Sequence, residues 1–215
     1  MSLLTTLKRK RFLRIFIIYS RYLIGAAFVF ASLVKIYGLR FTIMDGVAAP
    51  YNTPAHLFET LYQSGIYWRF LGWSQLVAAF FLMTQRYATI GAIFFIPIIL
   101  NIFVITVSYG FTGTPYITGL MLLANIMLLL WDADKLKILF NKSVNKTDAQ
   151  LYIRSMSNIV WEITGLALFI FTVSYRVISL MGYNIFLWGG ICTLIGLAGL
   201  FFGLKLESKQ HYDMT

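Results

Sequence analysis

Residues 87 to 109 read YATIGAIFFIPIILNIFVITVSY, a run closed by a tyrosine at each end and free of charged side chains. As a helix rising 1.5 Å per residue, such a run exceeds the roughly 30 Å of a bilayer's hydrocarbon core. A barrel strand needs only about ten residues and alternates apolar with polar positions, which this run does not do. A transmembrane helix is therefore expected here, and the flanking sequence should repeat the pattern.

Composition points the same way. Of the 215 residues, 59% are hydrophobic, 17% aromatic and 12% charged, and the mean hydropathy is +0.76. A soluble domain carries about a quarter charged residues, so this chain has too little charge to cover a water-facing surface. Six apolar segments stand out: Ile15 to Tyr37, Ile66 to Thr84, Tyr87 to Tyr109, Tyr116 to Trp131, Ile159 to Tyr175 and Tyr183 to Leu204. The fourth and fifth are short and should extend into their flanks. The expected fold class is all-α, a polytopic transmembrane helical bundle. The first segment also resembles a signal peptide, with a basic stretch before it and Val29-Phe30-Ala31 like a cleavage site. Arg21 interrupts its apolar core and further spans follow, so it reads as a span.

A net charge of +10 is compatible with nucleic-acid binding. Its location argues otherwise. Basic residues cluster at Lys8, Arg9, Lys10, Arg11 and Arg14, and at Lys135, Lys137, Lys142, Lys146 and Arg154, beside apolar runs. This is the positive-inside pattern of a membrane protein. A cytoplasmic N-terminus places the basic stretch 1–14, Arg86, residues 132 to 157 with the basic loop 141–157, and the tail 205–215 on one side, leaving Arg21, Lys35, Arg40, Arg69 and Arg176 elsewhere. Both termini are then expected inside, where the formal glycosylation acceptors Asn141 and Asn145 mean nothing. The long outer connection 38–65 should contain a short helix over 54–63, because Thr53 is a good N-cap and Pro54 suits the first helical position. That helix carries His56 and Glu59.

Several chemistries lack their residues. Cys192 is the single cysteine, so the chain has no dithiol of its own, and His56 and His211 lie outside the apolar runs. Neither zinc-ligand spacing nor a glycine-rich phosphate loop occurs. No metal and no covalently bound cofactor is expected.

Helical spacing sorts the polar residues of each span onto faces. Arg21, Gly25, Phe28, Ser32 and Lys35 share a stripe in the first span; Trp68, Gly72, Gln75 and Ala79 in the second; Pro97, Asn101 and Ser108 in the third; Thr118, Asn125 and Asp132 in the fourth; Glu162 and Arg176 in the fifth. Each stripe should face protein or a cavity instead of lipid. Gln75, Asn101 and Asn125 are either hydrogen-bonding glue between helices or cavity-lining groups. Arg21 is expected to pair with Asp132 or Glu162, since a lone charge in the bilayer is costly. In the sixth span Gly189, Gly196, Gly199 and Gly203 form a small-residue face for close approach, within the bundle or to a second copy.

The pattern Arg21-x3-Gly25-x2-Phe28-x2-Ala31-x3-Lys35, followed in order by Gly65-Ile66-Tyr67-Trp68, Gly72, Gln75, Ala78-Ala79, Arg86, Gly91-Ala92, Pro97, Asn101 and Trp131-Asp132, resembles the DoxX-like family of small bacterial integral membrane proteins. The resemblance spans residues 15–140. It implies a four-helix core with an extended outer loop in the bacterial cytoplasmic (inner) membrane, so that the helices of 158–204 are additions. Relatives include the membrane subunit of a thiosulfate:quinone oxidoreductase and the MauE proteins, which implies redox work near the quinone pool.

Three functions follow as expectations. The first is a subunit or accessory of a quinone-linked redox system, catalytic or not. The second is a membrane anchor or assembly scaffold for a protein partner, or a homo-oligomer. The third is a small transporter. For the first, a ligand slot is expected at the outer side, with Lys35 and Arg69 as cations, Thr112 and Thr114 nearby, Gln75 and Asn101 deeper, and His56 and Glu59 on a helix closing over it. Cations at headgroup depth suit an anionic or carbonyl-bearing head such as a quinone. The alternative is that Lys35 and Arg69 neutralise Asp45 and Glu59 or reach toward lipid headgroups.

Overall fold

A computed structural model describes residues 7–8, 10–42, 46–139, 159–179 and 184–212. Arg9, Asp45, the basic loop 141–157 with Asn141 and Asn145, and both chain ends lie outside the described residues. Those described form an all-helical protein. Its elements are α1 (Arg11–Ile36), α2 (Pro54–Gln63), α3 (Ile66–Met83), α4 (Ala88–Ser108), α5 (Thr114–Trp131), α6 (Ala133–Leu139), α7 (Ile159–Ile178) and α8 (Ile185–Tyr212). Six stretches among the described residues are long and apolar enough to cross a membrane: α1, α3, α4, α5, α7 and Ile185–Glu207 of α8. The fourth and fifth apolar runs do lengthen into their flanks, and the helix in the 38–65 connection begins where Pro54 follows its cap, the Thr53 hydroxyl accepting from the His56 N–H at 3.4 Å.

α1 is the hub. It packs along α3, and α4 lies between α3 and α5; α7 leans on α1 and α3, and α8 on α7. In lipid the apolar side chains gain little by leaving the solvent, so close packing and polar contacts must hold the helices together. Small residues permit that approach. A methyl group on Gly72 of α3 would sit 2.8 Å from the Ser32 carbonyl oxygen of α1, closer than real Cβ atoms come. The stripe of α8 is used within the bundle, Gly196 facing Tyr19, Gly199 facing Thr164 and Gly203 facing Trp161, while Gly189 meets nothing. Phe28 and Phe95 join α1 to α4 edge to face, with centroids 4.4 Å apart.

The start of α1 and the end of α8 share one end of the bundle. Arg11 donates to the Leu204 carbonyl at 3.1 Å, and Arg14 reaches Glu207 at 3.3 Å. The opposite end carries the end of α1, α2 and the α4–α5 turn.

Candidate functional site

Two polar clusters occupy opposite ends of the bundle. Along α1 the Arg21 stripe turns inward: Arg21, Gly25, Phe28, Ser32 and Lys35 are all buried. The first cluster lies at the end where α1 begins and α8 finishes. Arg21 Nη2 donates to Asp132 Oδ2 at 2.7 Å and Nη1 donates to Gln85 Oε1 at 2.9 Å. Thr89 adds a hydroxyl to the same Asp132 oxygen at 2.8 Å, and Lys135 Nζ stands 3.6 Å from Oδ1. Asp132 follows the last residue of α5, so the end of that helix delivers its carboxylate to the Arg21 level. Gln85 sits in the α3–α4 turn with φ of 56°, a left-handed conformation uncommon outside glycine and asparagine. The hydrogen bond to Arg21 helps hold that turn. Burial pushes the Lys135 ammonium below the usual lysine range, and Asp132 opposes the shift.

Glu162 takes no part in this cluster. It is half-buried on α7 and makes no hydrogen bond or ion pair among the described residues. The sequence offered Asp132 and Glu162 as equal partners of Arg21. They differ because α5 ends against α1 at Arg21, whereas the α7 residues facing α1 there are Trp161 and Gly165, the Trp161 carbonyl accepting from the Tyr22 hydroxyl.

At the other end, Lys35 lies in the last turn of α1, only 6% exposed. Its Nζ donates to the Ala31 carbonyl at 2.8 Å and stands 4.4 Å from the Phe41 ring centroid and 5.2 Å from that of Trp68. Lys35 makes no ion pair among the described residues. The Trp68 indole donates to the Leu39 carbonyl at 3.0 Å, which fixes the segment after α1 against the start of α3. Gly38 turns the chain in the left-handed region at φ 65° and lies beside the exposed Arg69 side chain, whose Nη2 would be in ordinary contact, 3.6 Å, with a methyl group placed there. Arg69 likewise has no carboxylate partner among the described residues. Above them, α2 sets Phe58 between Phe41, stacked at 5.3 Å, and Phe111 of the α4–α5 turn, edge-on at 5.7 Å.

Other expected members are placed differently. Glu59 is buried and belongs to Arg40, which grips it through two bonds of 2.9 Å, with Gln63 adding a third at 3.2 Å. The Arg40 guanidinium, and after it Gln63, hold the Glu59 carboxyl below the usual carboxylate range. Glu59 therefore neutralises neither Lys35 nor Arg69. The His56 ring packs on Tyr51 with centroids 4.7 Å apart, on the solvent side of the cap. Gln75 is buried on α3 with Oε1 unpartnered among the described residues. Asn125 is buried too and ties α5 to α4, donating to the Ala92 carbonyl at 3.0 Å. Asn101 contradicts the expectation of a site deep in the bundle: it is exposed on α4, as are Pro97 and Ser108. That face points outward because α4 turns Gly91, Ala92, Phe95 and Ile99 toward its neighbours.

Sequence reasoning missed Gln85, Thr89, Arg40 and Phe41. Gln85 lies in the turn before α4 and Thr89 in its first turn, so helical spacing did not connect them. Nothing local links Arg40 to Glu59 across nineteen residues. Comparison of the chain with family models, curated proteins and solved structures finds no match.

Proposed function

We propose that this chain is an integral membrane subunit or accessory of a quinone-linked redox system, binding the quinone head at the Lys35 end of the bundle. The observation that supports this reading is Lys35 itself. An amino group buried between aromatic rings without a carboxylate is costly unless something else accepts its hydrogen bonds. Arg69 at the same end is a second cation without a carboxylate partner among the described residues. A quinone head suits this arrangement, because its carbonyl oxygens accept from such donors and its ring stacks on aromatic walls. Phe41, Trp68 and Phe58 provide the walls, and the apolar flanks of the helices accept the isoprenoid tail.

The distribution of Arg and Lys supports a cytoplasmic location for both termini and an outer location for this slot. With Cys192 as its single thiol the chain has no dithiol couple of its own, so electrons would come from a partner protein, and this chain would position the acceptor. The ordered pattern from Arg21 to Asp132 supports a DoxX-like assignment in a bacterial inner membrane. Titration of purified protein in mild detergent with a short-chain quinone analogue tests the reading. Binding is expected in the wild type and should weaken about tenfold or more in Lys35→Met and in Arg69→Met, a loss of one charge-assisted hydrogen bond. No binding in the wild type, or equal binding in both variants with folding intact, overturns it.

A further inference from the structure

Polar side chains on the outer surfaces of the spans fall into two kinds. The hydroxyls of Ser20, Ser74, Ser108 and Thr193 each donate to the carbonyl four residues earlier, at 2.8 Å. Each is satisfied by its own helix and tolerates lipid. Asn101 is of the other kind. It is exposed on α4, roughly 10 Å from the outer end of that helix at 1.5 Å per residue, and it makes no hydrogen bond among the described residues. Its carboxamide carries two N–H donors and an acceptor oxygen. Gln75 and Asn125, the other carboxamides within the spans, are 5% and 0% exposed. One turn back on the same face, the exposed Pro97 has no N–H, so the Ile93 carbonyl lacks its helical donor. A single chain in lipid thus leaves on one face of α4 a carboxamide with no partner among the described residues and a backbone carbonyl without its usual helical donor.

We infer that a second copy of this chain docks on the face of α4 bearing Pro97, Asn101 and Val104, with Asn101 paired to Asn101 across a two-fold axis along the membrane normal. The membrane itself supplies the register. Copies inserted with the same topology carry Asn101 at the same depth, so a two-fold pair built on this face sets each carboxamide opposite its own image. The group is self-complementary: each side chain donates an N–H and accepts one in return. A different partner would have to bring its own donor and acceptor to this depth. Phe94, Val104 and Val107, exposed on and beside the same face, provide apolar contact around the polar centre.

In a Cys192→Ser background, Val104→Cys in native membranes should form a disulfide-linked dimer on oxidation, whereas Leu194→Cys, exposed on α8, should not. Asn101→Leu should weaken dimerisation in liposomes about tenfold, the scale of an interhelical amide hydrogen bond. Asn101→Gln, which keeps the carboxamide, should retain most of it. A wild type that counts as monomeric by single-molecule photobleaching overturns the inference. So does an Asn101→Leu dimer as strong as wild type, a link at Leu194→Cys with Val104→Cys silent, or a Val104→Cys adduct to a different protein.

Discussion

Replacing Asp132 with leucine should damage this protein more than replacing Arg21, although the two form one ion pair. Both residues are 1% exposed, and breaking a buried pair from one side costs about 3–5 kcal/mol because the other charge stays buried. The two survivors are not equally placed. After Arg21→Leu, the Asp132 carboxylate keeps the Thr89 hydroxyl at 2.8 Å and Lys135 at 3.6 Å. After Asp132→Leu, the Arg21 guanidinium keeps the neutral Gln85 oxygen at 2.9 Å and faces Lys135 with no carboxylate between them. Asp132→Leu should therefore fall within the full range, and Arg21→Leu at about 1–3 kcal/mol, closer to the loss of charged hydrogen bonds. The double variant removes both charges and should be less destabilised than Asp132→Leu alone, which requires a coupling larger than the Arg21→Leu cost, about 3 kcal/mol. Reversible unfolding of purified protein in mixed micelles measures all four corners of the cycle. Equal single costs that simply add in the double variant would refute the reasoning.

Further outcomes follow from the packing. Gly165→Leu should destabilise by about 1–3 kcal/mol through overpacking, because even a methyl group there meets the Met83 carbonyl and the Tyr22 ring; micelle unfolding reads it. Thr53→Ala removes the hydroxyl cap of α2 and should cost about 1 kcal/mol, seen as faster amide exchange over 54–63. Glu59 is held below its ordinary carboxyl range by Arg40, so its contribution is fully present above the unfolded carboxyl range and is lost as pH falls through the folded value. Exchange protection of α2 should drop on acidification in the wild type, and the drop should flatten in Glu59→Gln.

Residues 87 to 109 announced their helix because an uncharged run of that length has few other fates, and the same held for the other spans and for the Thr53-Pro54 start of α2. Helical periodicity also identified the buried stripe of α1. It failed on α4, where Pro97, Asn101 and Ser108 share a face as spacing requires, but the face points outward. Periodicity says which residues lie together; it does not say which side the neighbours occupy, and in α4 Gly91 and Ala92 decided that by admitting α3 and α5 closely. The surroundings of Lys35 were half legible. The cations could be read at the helix ends, but the walls come from Phe41, Trp68 and Phe58, brought together by a loop path with no sequence signature. Arg40 and Glu59 found one another across that same loop, so Glu59 neutralises neither Lys35 nor Arg69.

A photoreactive quinone offers the most direct test of the account. Irradiated with the wild-type protein and mapped by peptide mass spectrometry, an azidoquinone should mark Phe41, Trp68 or the neighbouring residues of 37–41 and 66–69, and excess unmodified quinone should suppress the label. Labelling confined to the exposed lipid-facing residues of α8, or labelling that excess quinone leaves unchanged, would contradict a quinone site at Lys35.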